Sequence, residues 1–111
     1  MIAREWRAFA VPPNDAAYER HFREAVLPHL REIPGCVGAH LLRRAVAGER
    51  GDEVELIAVT YYESLEAIRA FAGDDLERAV VEPAARAVLA RFDERCRHYE
   101  IVATLGTISE P

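Results

Sequence analysis

The sequence has little cysteine, no excess of positive charge and no long apolar run, and each shortage excludes a class of protein. Its two cysteines among 111 residues, Cys36 and Cys96, are too few for a disulfide scaffold and lack metal-ligand spacing. We therefore expect two reduced thiols, as in cytosolic proteins. Fourteen Lys and Arg against nineteen Asp and Glu give a net charge of −5. This balance argues against a nucleic-acid partner, because phosphate binding needs a basic surface.

Signals for secretion and for membrane insertion are also missing. The first residues include Arg4, Glu5 and Arg7, where a signal peptide needs an uninterrupted apolar region. No apolar stretch approaches the ~20 residues of a membrane span. We therefore expect a cytoplasmic protein with no membrane partner.

What is present is typical of one globular domain. Half of the residues are hydrophobic and 30% are charged, whereas glycine and proline contribute only six each. This composition is unlike that of disordered, collagenous or low-complexity chains. The sequence contains no internal repeat and no linker, so we predict a single domain.

Apolar residues in alternating or continuous runs predict four strands. These strands cover residues 2–11, 37–46, 53–62 and 97–105. A polar turn with glycines, over residues 47–52, joins the second and third strands into a predicted hairpin.

Apolar residues at spacings of three and four predict two helical regions. The first begins at Asn14 or Asp15, either of which can cap it, and we expect a kink or an early end near Pro28. The second begins after the capping residue Ser64 and, with interruptions, resumes over residues 84–95. The predicted order of elements is therefore β-α-β-β-α-β.

This order predicts an α+β, ferredoxin-like βαββαβ fold, in which a four-stranded antiparallel sheet carries both helices on one face. The strand over residues 53–62 is apolar on both faces, although the helices can cover only one. A large exposed apolar patch is rare on soluble monomers. We therefore expect a homodimer in which two sheets pack across a two-fold axis.

Two stretches of the sequence resemble the antibiotic biosynthesis monooxygenase-like domains. Residues 33–44 (IPGCVGAHLLRR) are similar to the family's second strand and the turn before it. Residues 62–68 (YESLEAI), together with Phe71, are similar to the family's junction between the third strand and the second helix. Shorter similarities lie at residues 79–80 and 98–101. The resemblance covers about residues 1–102 and leaves 103–111 as a C-terminal tail. It implies a dimeric α/β barrel with one pocket in each subunit.

The resemblance implies oxidation of an aromatic or enolisable small molecule without a cofactor, in a pocket that uses Trp, Tyr, Asn and Arg side chains. Haem-degrading members instead use an axial His on the second helix, a Trp before it and an Asn on the first strand. This sequence has Val81 in place of the His, Phe71 in place of the Trp and no Asn in its first strand. Haem degradation is therefore disfavoured. The sequence also has no Gly-rich phosphate loop, nucleophile elbow or metal cluster, so we predict neither a cofactor nor a metal.

Three candidate site residues lie on the first and last strands. Arg4 and Trp6, which are in phase on the first strand, can hold a planar enolised aromatic by charge pairing and stacking. In the alternative interpretation, Trp6 fills the core or the dimer interface. His98 is the predicted general base, because imidazole titrates near working pH and the strand of His98 should pair with the first strand. The alternative is a strand-edge histidine without a catalytic role.

Two further candidates lie on the central strands. Tyr61 is the second catalytic candidate, since a phenol can donate a hydrogen bond to a developing oxyanion. Because Tyr61 and Tyr62 point to opposite faces of their strand, a given pocket receives at most one of them. His40 is a further substrate-binding candidate. For each of these residues the alternative is a structural role.

Three other polar residues have structural interpretations. His21 and His29 lie eight residues apart on the first helix rather than three or four, so we expect them to be solvated rather than to share a metal. Glu55 lies among apolar residues, where an unpaired carboxylate is costly. We expect Glu55 to pair with Arg4 or Arg43 across the sheet.

Two functions therefore stay open. The first is cofactor-independent monooxygenase chemistry on a small aromatic or enolisable compound. The second is a non-catalytic, ligand-binding or regulatory dimer of the same fold. An enzyme pocket should hold converging polar groups, whereas a structural barrel should be filled by side chains.

Overall fold

The computed structural model describes residues 1–48 and 51–106. In chain order its elements are β1 (Ile2–Ala10), α1 (Asn14–His21, Phe22–Val26 and Leu27–Arg31 as three consecutive helical segments), β2 (Cys36–Gly48), β3 (Gly51–Tyr62), α2 (Leu65–Ala72), α3 (Pro83–Arg86), β4 (Arg91–Phe92) and β5 (Arg97–Glu100). Glu49 and Arg50 of the predicted turn, and residues 107–111 of the predicted tail, lie outside the described residues. None of the described helices has the length and apolar character needed to cross a bilayer.

The five strands form one antiparallel sheet in the order β2-β3-β1, and β4 and β5 both pair with the remaining edge of β1. Tyr18 and Phe22 of α1 pack against the middle of β1, and Ile68 of α2 packs with Tyr62 of β3. Both helices therefore cover the same face of the sheet. The predicted α+β, ferredoxin-like fold is confirmed.

The end of the chain differs from the prediction. Instead of a helix over 84–95, the structure has only α3, followed by the two-residue strand β4 and by β5, which ends at Glu100. The backbone after α3 bonds to β1: Ala90 N–H donates to the Phe9 carbonyl at 2.8 Å and Asp93 N–H to the Arg7 carbonyl at 2.9 Å. These bonds pair the open edge of β1, so tertiary hydrogen bonding overrides the local helical pattern.

Helix α1 continues past Pro28 rather than ending there. The segment Phe22–Val26 is a π-helical turn, in which Leu27 N–H donates to the carbonyl of Phe22. A wider turn just before proline accommodates the missing amide donor without breaking the helix. The expected side-chain caps at the start of α1 are absent, whereas Ser64 accepts from Ala67 N–H at 3.3 Å as predicted for α2.

Two stretches that resemble the family's motifs touch each other in the structure. Gly35 has a φ of +87°, and a Cβ placed on it would lie 2.6 Å from the Cβ of Ala67. Its carbonyl accepts from Glu63 N–H at 2.8 Å. Only glycine combines this conformation with so close an approach, so the motif joins the start of β2 to the start of α2.

The sheet face opposite the helices, called here the open face, mixes apolar residues with ion pairs. Glu55 lies on this face and pairs with Arg44 at 2.6 Å and with Arg7 at 3.4 Å. The predicted pairing of Glu55 with Arg4 or Arg43 is wrong, because both of these arginines are in register with residues of the helix face.

Candidate functional site

A small cavity lies between the helix face of the sheet, helix α1 and the chain from Phe71 to Ala85. Its walls are mainly aromatic and aliphatic and include Trp6, Tyr18, Phe22 and Phe71. Its volume is about 60 Å³. We call it the helix-face cavity.

The cavity is also lined by a buried cation, Arg4, which is only 3% exposed. Its guanidinium donates to two main-chain carbonyls, those of Leu76 and, at 2.7 Å, Arg78. Within residues 1–48 and 51–106, no carboxylate oxygen lies within 4.0 Å of it. The charge of Arg4 is therefore solvated by dipoles and has no counter-ion among the described residues, and a site of this kind favours an anion.

His98 lies opposite Arg4 in the pairing of β5 with β1. Its Nε2 is 2.8 Å from Nη1 of Arg4. Since arginine can only donate, Nε2 must accept, which assigns the neutral imidazole to His98. Burial and the neighbouring charge of Arg4 lower the pKa of His98, with Glu77 acting weakly in the opposite sense. His98 thus contacts Arg4 rather than lining the cavity.

Trp6 lines the cavity and is also part of the core. Its place in the core agrees with the alternative interpretation, and its contact with a ligand stays a prediction. It is 8% exposed, and its ring centroid lies 5.9 Å from that of Tyr18 and 6.0 Å from that of Phe92. Its Nε1–H donates to the carbonyl of Asp93 at 2.7 Å. The indole N–H is therefore engaged, and what Trp6 can offer a ligand is its aromatic surface.

Tyr18 of α1 is a cavity residue that was not among the candidates predicted from the sequence. It is 4% exposed, yet its hydroxyl has no hydrogen-bond partner within the described part of the chain. Burial, with a contribution from the charge of Glu82, raises the pKa of Tyr18. A tyrosine in a buried helical stripe is a weak signal of such a group, because its ring alone explains its position.

The histidines of α1 also border the cavity, which the sequence analysis did not predict. His21 is half-buried, with its ring 5.9 Å from that of Tyr18, whereas His29 is exposed beside Phe71 at 5.7 Å. Eight residues span one ordinary turn and the wider π-helical turn of α1, so the two side chains return to one side of the helix.

The other two candidates, Tyr61 and His40, lie on the open face. His40 Nδ1 is 3.4 Å from the Tyr61 hydroxyl, and the two rings meet edge to face at 5.7 Å. Both line an open groove of about 880 Å³, part of which is formed by the chain after β5. The structure therefore brings Arg4, Trp6 and His98 together and places Tyr61 and His40 elsewhere.

The helix-face cavity does not fit a haem as it stands. Val81 and Phe71 both line it and supply only hydrocarbon at the positions where the sequence resemblance implies a haem ligand and its neighbour. A volume of about 60 Å³ is far below that of a porphyrin. Among the described residues, no three potential metal-ligating side chains come together.

Comparisons with known proteins agree with this architecture. The family model of antibiotic biosynthesis monooxygenase matches residues 1–83. A solved structure of the haem-degrader MhuD from Mycobacterium tuberculosis, with two haems in its active site, is 25% identical, has a TM-score of 0.63 and covers 96% of this chain and 100% of its own. A Bacillus cereus protein described by the same family name is 18% identical, with a TM-score of 0.58 and 96% of both chains covered. No curated protein sequence matches this chain.

Proposed function

Because the chain belongs to the antibiotic biosynthesis monooxygenase family, we propose that its helix-face cavity binds a small planar aromatic or enolisable compound. We further propose that the protein oxidises this compound without a cofactor. The aromatic walls suit a flat ring, and the volume of about 60 Å³ is far too small for a porphyrin.

The observation that carries this proposal is the buried Arg4, which has no counter-ion within residues 1–48 and 51–106. A phenolate or enolate oxygen at its guanidinium would supply the missing negative charge. In a site of low dielectric, that pairing lowers the pKa of the ligand's own hydroxyl. Arg4 therefore favours the electron-rich, deprotonated form of the ligand, which is the form that reacts with dioxygen.

The reaction needs no external reductant. The anion transfers one electron to dioxygen, and the two radicals combine to form a carbon–oxygen bond. Loss of water from the resulting hydroperoxide leaves a new carbonyl, so a phenol and one dioxygen give a quinone and one water. All four electrons that dioxygen accepts come from the substrate.

His98 stays the sequence-based prediction for the general base. Its geometry supports a positioning role, since the Nε2 lone pair already accepts from Arg4. In that role His98 holds the guanidinium against the cavity, and an acidic phenol or enol enters already deprotonated. The two roles can be told apart by replacing His98 with a side chain that accepts a hydrogen bond but cannot take a proton. Such a side chain can replace a positioning residue but not a general base.

We propose that the protein acts as a homodimer, as expected from its sequence. The support is the open face, where Ile57 and Val59 of β3 and the half-exposed Leu42 of β2 lie on the side without helices. Interfaces of obligate dimers commonly bury more than ~2,000 Å². A non-catalytic ligand-binding dimer is the second candidate function, because Trp6 and Tyr18 also serve as core residues.

Oxygen consumption during incubation with single-ring phenols and hydroquinones tests the catalytic proposal. We expect uptake with a subset of these compounds, and its loss in Arg4→Met, which keeps an unbranched apolar stem but removes the guanidinium and its charge. Arg97→Met on the open face is the control, because Arg97 is exposed and pairs with Glu5. Ligand binding that depends on Arg4 without oxygen uptake would instead favour the non-catalytic dimer. Absence of binding would contradict both functions.

A further inference from the structure

The hydroxyl of Tyr18 is a polar group that the fold leaves unpaired beside the cavity. Tyr18 is only 4% exposed. No hydrogen bond joins its hydroxyl to another described residue. The hydroxyl oxygen is unpaired but is not fully sealed from solvent. It therefore keeps a small accessible surface, on a residue that lines the helix-face cavity.

A buried hydroxyl with no partner costs stability, and folded proteins avoid such groups unless something else pairs with them. Packing alone does not explain the oxygen, because phenylalanine would fill the same place among Trp6 and Phe22. Because its pKa is raised, the phenol stays protonated and acts as a hydrogen-bond donor.

Tyr18 and Arg4 lie beside the same aromatic surface. The ring of Tyr18 is 5.9 Å from the indole of Trp6. Arg4 precedes Trp6 by two residues on the same face of β1, about 6.8 Å along the strand. A flat ligand on Trp6 can thus meet a cation and a neutral donor together.

We propose that Tyr18 is a ligand-binding residue whose hydroxyl donates to a neutral oxygen of the ligand. The cavity then selects flat, single-ring compounds that carry one anionic oxygen for Arg4 and a second carbonyl or hydroxyl oxygen for Tyr18. This inference rests on the proposed function, in that it takes the helix-face cavity as the ligand site.

Binding of para-hydroxybenzoate and of benzoate, measured by calorimetry, tests the inference. These compounds share the ring and the carboxylate and differ in the second oxygen. In the wild-type protein we expect para-hydroxybenzoate to bind about 3- to 10-fold more tightly, the usual worth of one net hydrogen bond. Tyr18→Phe should abolish this preference without weakening benzoate, whereas Arg4→Met should weaken both compounds. Tyr99→Phe, on the half-exposed Tyr99 of β5, is the matched control.

Thermal unfolding separates a ligand-binding role from a structural one. Removal of an unpaired hydroxyl should leave the melting temperature of Tyr18→Phe unchanged or slightly raised. If Tyr18→Phe unfolds at lower temperature and loses both compounds equally, Tyr18 is structural and the inference is wrong. If benzoate binds through Arg4 but the preference does not depend on Tyr18, the inference fails and the proposed function stands. If neither compound binds the wild-type protein, both are wrong.

Discussion

Replacement of Gly35 by alanine should destabilise the protein more than the same change at another left-handed glycine. Gly35 has a φ of +87°, and its new Cβ would lie 2.6 Å from the Cβ of Ala67, on the first turn of α2. Gly73, which ends α2, has a φ of +83° but no atom within 4 Å of its added Cβ. The two variants therefore share the backbone penalty, and only the first meets a neighbour.

The expected magnitudes follow from these two terms. A positive φ costs a residue with a side chain roughly 1–3 kcal/mol, and this is the whole cost expected for Gly73→Ala. A methyl group forced into packed structure adds about 1–3 kcal/mol, so Gly35→Ala should lose about 2–6 kcal/mol. That is a large share of the ~5–15 kcal/mol by which a domain is stable.

Urea unfolding of both variants, with midpoint and slope compared with those of the wild type, measures the difference. Ala67→Gly in the Gly35→Ala background should recover the steric part and leave the conformational part, as a double-mutant cycle reports. Equal losses at Gly35 and Gly73 would refute the close approach to Ala67. So would a failure of Ala67→Gly to restore any stability.

Four other outcomes are expected. For a His98 that positions Arg4, His98→Gln should keep ligand binding and most turnover, whereas loss of about 10²–10⁴-fold in both His98→Gln and His98→Ala would identify a base. The folded-state pKa of His98 lies below 6.5, so the unfolded state binds more protons between 6.5 and that pKa. The stability of the wild-type protein should therefore fall as the pH drops through this range. Denaturant titrations should show that His98→Gln lacks this dependence. Haem titration should give no saturating Soret shift, and one haem per subunit would contradict the assignment of Val81 and Phe71. Light scattering at micromolar concentration should give twice 12.5 kDa, and a monomeric mass would contradict the proposed dimer.

The elements that sequence reasoning located well are those in which local and tertiary preferences agree. Strand β3 ends at Tyr62 and α2 begins after Ser64, as the apolar run and the capping side chain predict. The chain after α3 is different, since its alanines favour a helix but its amides bond to β1. No local pattern reveals that the edge of β1 is free to accept them.

The candidate site was predictable only along a single strand. The period of two places Arg4 and Trp6 on one face, and the structure confirms that they lie together. Which face of β3 the helices cover depends on the whole fold, so the sequence could not assign Tyr61 to the open face. The missing partner of Tyr18 is likewise a property of three-dimensional packing, not of its spacing along α1.

The motif residues that join β2 to α2 differ from the polar residues that line the cavity. Gly35 and Ala67 belong to the motifs and join β2 to α2, whereas Arg4 and Tyr18 line the cavity from outside the motifs. Stability and ligand selection therefore depend on separate contacts. Gly35→Ala should lower the free energy of unfolding without altering the preference for para-hydroxybenzoate over benzoate, and Tyr18→Phe should do the reverse. If Gly35→Ala also removed that preference, the shape of the cavity would depend on the contact between β2 and α2. Ligand selection would then depend on the motif residues as well as on Arg4 and Tyr18.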